Sequence, residues 1–343
     1  MKNNKPHNYP KIGIRSKIEL AKRLSDCRNP VDKIKGLIDD VVNNYDQYWI
    51  DHARLSEPEK GKWVRDASRS NLGKLLKLIS ERVLTPHDHM VPVFVFGGLK
   101  KRNHKTAVEY LLGTRRQRII LKLDVTRFYE QIKSDRVHQF FLQKTNCGNR
   151  GAKLLTKLCC VPVGAKDKPE NYKSIGRGFS TSSRLAVWCN LDTFIKLDRL
   201  IRKELKGKDP RIAVYVDDIA ITASRATKED LIKLYPKIIA ILNSDSKQPL
   251  PLNNKKTKII THTGDTYDIG GNHLGCKGFE HLGIQMKRNS LEVGVKTKSK
   301  ITRLKNKHKD FKNNTSLTKS LQSLRQYENY ITKNETAGLK SDR

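Results

Sequence analysis

An α+β fold is predicted by three features of the chain. Long stretches place apolar residues at helical spacing, as in Ile34, Leu37, Ile38, Val41 and Val42, or Leu72, Leu75, Leu76, Leu78, Ile79 and Val83. Between such stretches lie short β-forming runs at residues 119–123, 211–214 and 219–222. The last two runs bracket Tyr215-Val216-Asp217-Asp218, whose adjacent carboxylates cannot both face one side of a regular strand. A hairpin tip accommodates them, so a mostly antiparallel sheet backed by helices is expected.

Taken in order, residues 1–60 read as a polar, helical N-terminal extension with an amphipathic run over 32–50. Ser56-Glu57-Pro58-Glu59 reads as a helix start with proline in the first turn. A helix from Asn71 ends before Thr85-Pro86. His87-Asp88-His89 is a polar turn more readily than a metal site. An extended run over 91–96 closes at Gly97-Gly98 and opens into a basic loop, so residues 61–120 form one unit. A second unit spans 121–285. It holds a strand ending at Asp124, a helical insertion over 136–177 broken at 147–151, a helix from Gly178 to Leu205, the acidic hairpin, and a helix over 228–243. Pro249 and Pro251 then deliver a run over 252–259, and a loop or hairpin at 263–271 stays unassigned. A last unit spans 286–343; from Lys296 the chain turns strongly basic, with Ile301, Leu304, Leu317, Leu321 and Leu324 spaced to anchor short helices, and from Lys312 onward a solvated tail is the equal alternative.

Sixty-nine Lys and Arg against 35 Asp and Glu give a formal net charge of +34. Such an excess attracts polyanions, so nucleic acid is the expected partner, with affinity that falls steeply with salt. A ribosomal-type RNA binder or a protein of anionic membrane surfaces would fit the charge alone. No apolar stretch reaches the roughly 18 residues of a membrane span, and no apolar signal core follows Met1, so a cytoplasmic location without membrane contact is expected. The six cysteines show no CxxC spacing and read as reduced thiols.

Asp124 ends its β-run alone, and an unpaired buried carboxylate is costly. With Asp217 and Asp218 on a neighbouring strand it could hold two Mg²⁺ ions, or Mn²⁺, about 3.5–4 Å apart, as in phosphoryl transfer. Hard oxygen ligands without paired Cys or His argue against zinc. Considered alone, the Asp pair is equally an ordinary polar turn.

These residues resemble the reverse transcriptases, in five motifs that keep the family's order across roughly residues 60–295. The Asp124 segment looks like motif A and Tyr215–Asp218 like motif C. Residues 178–190 stand at motif B, 252–259 at motif D and 279–284 at the primer-grip motif E. The resemblance is to bacterial enzymes of the retron and defence-associated, abortive-infection-like groups, and it implies a right-hand polymerase with fingers over 61–120, a palm over 121–285 and a short, basic helical thumb over 286–343. Asp124 and Asp217 then become the main metal ligands, with the Val125 carbonyl adding an oxygen and Asp218 an outer ligand. Tyr129 would lie beneath the sugar of the incoming nucleotide, although only one of Phe128 and Tyr129 can face it. Lys256 would assist the departing pyrophosphate, or be one member of a basic strip. Lys62 and Arg65 would contact the triphosphate, and Ser183 and Arg184 stand near the nucleotide, in a segment that departs from the family's Pro-Gln-Gly run. Lys100, Lys101, Arg102, Arg115 and Arg116 would contact template phosphates. His281 and Gly283 would grip the primer, and Lys298, Lys300 and Arg303 the duplex. The implied reaction is addition of dNTPs to a 3′ hydroxyl or a protein hydroxyl on an RNA template, expected to be a dedicated noncoding RNA in bacterial antiviral defence, with DNA as product and oligomers or a second polymerase or effector subunit as further partners. Untemplated or repetitive DNA synthesis and a catalytically silent RNA-binding scaffold remain the alternatives.

Overall fold

Capping chemistry and apolar spacing set the N-terminal helices. The computed structural model describes residues 7–113, 117–245, 249–276, 278–287, 290–310 and 314–333. Ser16 accepts a hydrogen bond from the Glu19 amide to start α1 (Lys17–Leu24), and α2 (Val31–Asn43) buries Ile34, Ile38 and Val41. The helix start at Ser56 yields a single 3-10 turn, Pro58–Lys60, because Gly61 turns left-handed (φ 62) and ends it. Flanking segments pair instead as a ribbon of β1 (Ile50–Asp51) and β2 (Arg65–Asp66). Next, α3 (Asn71–Ile79) continues through a π turn, Ser80–Leu84, into a 3-10 turn containing Pro86. A capping box at Asn103 and Thr106 then starts α4 (His104–Leu112), which its sequence signals through the cap more than through its period.

The centre of the molecule begins with β3 (Arg118–Asp124), α5 (Phe128–Gln131), α6 (Ser134–Gln139) and α7 (Asn149–Cys159). The expected helical insertion stops there. Residues 160–175 form a hairpin of β4 (Cys160–Gly164) and β5 (Pro169–Ile175), since Val161, Pro162 and Val163 favour extended backbone and Gly164 (φ 89) breaks it. The 23-residue α8 (Ser182–Glu204) follows as one helix. Then come β6 (Arg211–Tyr215), β7 (Asp218–Ser224), α9 (Lys228–Leu242) and β8 (Lys258–Ile260). The unassigned segment becomes a hairpin of β9 (Asp265–Tyr267) and β10 (His273–Cys276). Among the described residues six strands form one antiparallel sheet in the order β10-β9-β8-β3-β7-β6.

Alternation along β3 divides the interior in two. Ile119, Leu121 and Leu123 join Ile212, Val214, Ile219, Ile221 and Ile259 in the larger apolar cluster, which includes buried residues of α8 and α9. Ile120, on the opposite face, joins Ala213, Ala220 and Ile260 in a second cluster with Ala107, Val108 and Leu111 of α4. Both faces of β3 are therefore covered, and its acidic end projects between them.

The C-terminal part contains a small antiparallel sheet of β11 (Glu280–His281), β12 (Ile284–Met286) and β13 (Leu291–Val293), then α10 (Val295–Asp310) and α11 (Thr315–Thr332). Of the two readings left open beyond Lys312, the helical one holds for Thr315–Thr332. Leu321 and Ile331 are buried against the second cluster, and the Lys105 ammonium donates to the Tyr330 and Lys333 carbonyls at 2.9 and 2.8 Å. Among the described residues no helix is long and apolar enough to cross a membrane.

Candidate active site

Tyr215 pairs with Asp218, which leaves Val216-Asp217 as a two-residue hairpin loop. Val216 takes φ 59, a left-handed conformation unfavourable for a β-branched residue. A two-residue hairpin loop requires such a conformation, and neighbouring backbone packs closely on it. The Phe96 amide donates to the Val214 carbonyl at 2.8 Å, the Val214 amide to Phe94 at 2.9 Å, and a Cβ on Gly97 would stand 2.4 Å from the Val216 nitrogen. Only glycine fits there.

The register sets Asp124 opposite Asp218, and the Val125 amide donates to the Asp217 carbonyl at 3.2 Å. Directly opposed residues share a sheet face, so Asp218 stands on the same face as Asp124. Burial raises the pKa of Asp217, Asp124 adding to the effect, while Arg177 and Lys62 oppose it. Asp218 is pushed up to about 6, first by burial and then by Asp217, against the pull of Lys122 and Lys256. The Lys256 ammonium lies 3.1 and 3.3 Å from the two Asp124 oxygens.

Among the described residues no three Asp, Glu, His or Cys side chains gather closely enough to hold a metal ion. The chemistry of Asp124, Asp217 and Asp218 still fits a hard divalent cation: the donors are all oxygen, and Asp217 and Asp218 carry a desolvation and repulsion penalty that a cation lifts.

That penalty has a measurable sign. Because the folded pKa of Asp218 lies above its unfolded value, its ionised form opposes folding. Its contribution is absent below about pH 4, and stability is lost as pH rises toward 6. In metal-free protein Asp218→Asn should therefore raise stability at pH 7 by on the order of 2 kcal/mol and change it little at pH 4. Urea unfolding at the two pH values checks this, and an equal effect at both would refute it.

Phe128 is buried in the larger cluster, so Tyr129 is the aromatic that faces the acids. Its hydroxyl lies 3.1 Å from Ser183 Oγ. The Arg177 guanidinium covers its ring at 4.8 Å and pairs with both Glu130 oxygens at 3.1 and 3.0 Å. Sequence reasoning missed Arg177; the available signal was Glu130, an acid next to Tyr129 in an apolar setting that requires a cation. Lys62 lies close enough to Asp217 to favour its charge.

Other expected contacts are committed elsewhere. Arg65 is 3 % exposed, pairs with Asp51, donates to the Pro162 and Gly164 carbonyls and lies over Trp49, which corrects its assignment to the triphosphate. Arg184 pairs with the buried Asp88 at 3.0 Å and donates to Ser80, so it locks α8 to the preceding helices. Arg102 donates to the carbonyls of Val91, Pro92 and Val95. His281 is 1 % exposed, with both ring nitrogens unpartnered and its pKa lowered to about 3 by burial, so it cannot reach a primer. Gly283 (φ 72) and Leu282 (φ 50) form the turn between β11 and β12. Lys298 pairs with Glu292. Lys100, Lys101, Lys300 and Arg303 are exposed, and on α10 Lys296, Lys300, Arg303 and Lys307 share one face. Arg115 and Arg116 lie outside the described residues.

Comparison with protein-family models finds no match, and no curated protein matches the chain.

Proposed function

We propose that the chain is an RNA-directed DNA polymerase that adds deoxynucleotides to a 3′ or protein hydroxyl, copying a dedicated noncoding RNA in bacterial antiviral defence. The observation that carries this reading is the placement of Asp124, Asp217 and Asp218 at paired ends of adjacent antiparallel strands, beside Lys256, Arg177 and Tyr129. Residues 61–120, 121–285 and 286–343 are then fingers, palm and thumb.

Asp124, Asp217 and Asp218 would hold Mg²⁺ or Mn²⁺, which when bound supplies positive charge for the phosphoryl oxygens and eases ionisation of the attacking hydroxyl. Lys256, 53 % exposed and already at Asp124, can supply charge or a proton to departing pyrophosphate. Lys62 supplies further charge to the triphosphate. The basic face of α10 suits a duplex backbone. Tyr129, held at the floor of the site, excludes a ribose 2′-hydroxyl sterically.

The test is incubation of the purified protein and its co-purifying RNA with labelled dNTPs and Mg²⁺, followed by sequencing of the product. DNA complementary to that RNA is expected. Product unrelated to it would favour untemplated synthesis, and no incorporation on any primer or RNA would remove the enzyme reading. Tyr129→Ala should increase ribonucleotide use about ten-fold or more relative to deoxynucleotides, read from steady-state kinetics with each; an unchanged ratio would remove the gate.

A further inference from the structure

Arg177 is held from several sides. Its Nε and Nη2 donate to the two Glu130 oxygens, its guanidinium lies on the Tyr129 ring, and its backbone carbonyl accepts from the Arg65 amide at 2.6 Å. The chain just after it is equally confined, since a Cβ on Gly178 would meet the Arg65 carbonyl oxygen at 2.5 Å. Glu130 is buried at 6 % exposure, and a buried carboxylate requires a partner, so it fixes the guanidinium. The guanidinium in turn lies on the ring of the adjacent residue, Tyr129. Tyr129 thus has two anchors: Ser183 at its hydroxyl and Arg177 on its face.

A ring excludes a 2′-hydroxyl only while it cannot turn aside. We propose that Arg177, fixed by Glu130, is the positioning residue that holds Tyr129 in the orientation that selects deoxynucleotides. This rests on the polymerase reading and on Tyr129 as the sugar gate. An ion pair joining α5 to the segment before α8 is what makes the gate rigid, and Arg is suited to it because its planar fork pairs with a carboxylate and stacks on an aromatic face at once.

The experiment uses the full chain and two readouts. In the first, the ratio of kcat/KM for dNTP over rNTP should fall about ten-fold in Arg177→Met, the change appearing mainly in the rNTP KM, and Arg177→Lys should restore part of it by returning a cation to the ring. A purely structural role would lower both substrates together. In the second, 3-fluorotyrosine at position 129 should give one sharp ¹⁹F resonance that shifts and broadens in Arg177→Met. Should Arg177→Met fail to fold, Glu130→Gln, with its shape kept and its charge removed, reads the same two quantities. An unchanged ratio or an unmoved resonance overturns the proposal. A resonance that responds in a protein that polymerises nothing instead places the failure in the polymerase reading.

Discussion

Replacing Asp217 and Asp218 together by alanine is expected to reduce dNTP incorporation by about 10³-fold or more while leaving the protein folded and able to bind RNA. The two halves of this result have one cause. Both carboxylates carry raised pKa values because they are desolvated beside one another and Asp124. Removing them relieves repulsion, so the melting temperature should hold or rise while the chemistry disappears, the usual sign of residues kept for function at the expense of stability. Incorporation by the double variant at the parent rate would remove Asp217 and Asp218 from the chemistry. Lost incorporation together with a lowered melting temperature would mean that the acids serve the fold.

Arg65→Met is expected to destabilise the chain by about 3–5 kcal/mol, because it strands the partly buried Asp51 and leaves two carbonyls without a donor. Lys62→Ala should do the opposite: leave stability unchanged and raise the KM for dNTP several-fold, since this lysine acts on Asp217 from a half-buried position. Denaturant unfolding and steady-state kinetics on both variants separate the two roles. A stable Arg65→Met with an elevated KM would return Arg65 to the triphosphate.

The acids were legible because strand alternation leaves adjacent carboxylates no regular geometry, and the β-runs around them could pair in one way that kept Ile119, Leu121, Ile219 and Ile221 on a common face. Long helices were legible from their period, as in α2, α3 and α9. Residues 160–175 were not: β5 has a mostly exposed, polar pattern that carries no period-2 signal, and its pairing with β4 is what defines it. Cations were hardest to read. Arg65, Arg102, Arg177 and Arg184 all look like surface charge in a chain this basic, yet each has acidic or carbonyl partners distant in sequence or across a loop. A basic side chain announces that it wants an anion without saying whether the anion is its own protein or a ligand.

The hydrogen bonds between residues 94–96 and β6, with Gly97 pressed against Val216, join the carboxylate loop to the chain that leads back into α3. That loop is packed against the upstream chain. Residues 94–97 are therefore part of the seat that fixes where Asp217 and Asp218 stand.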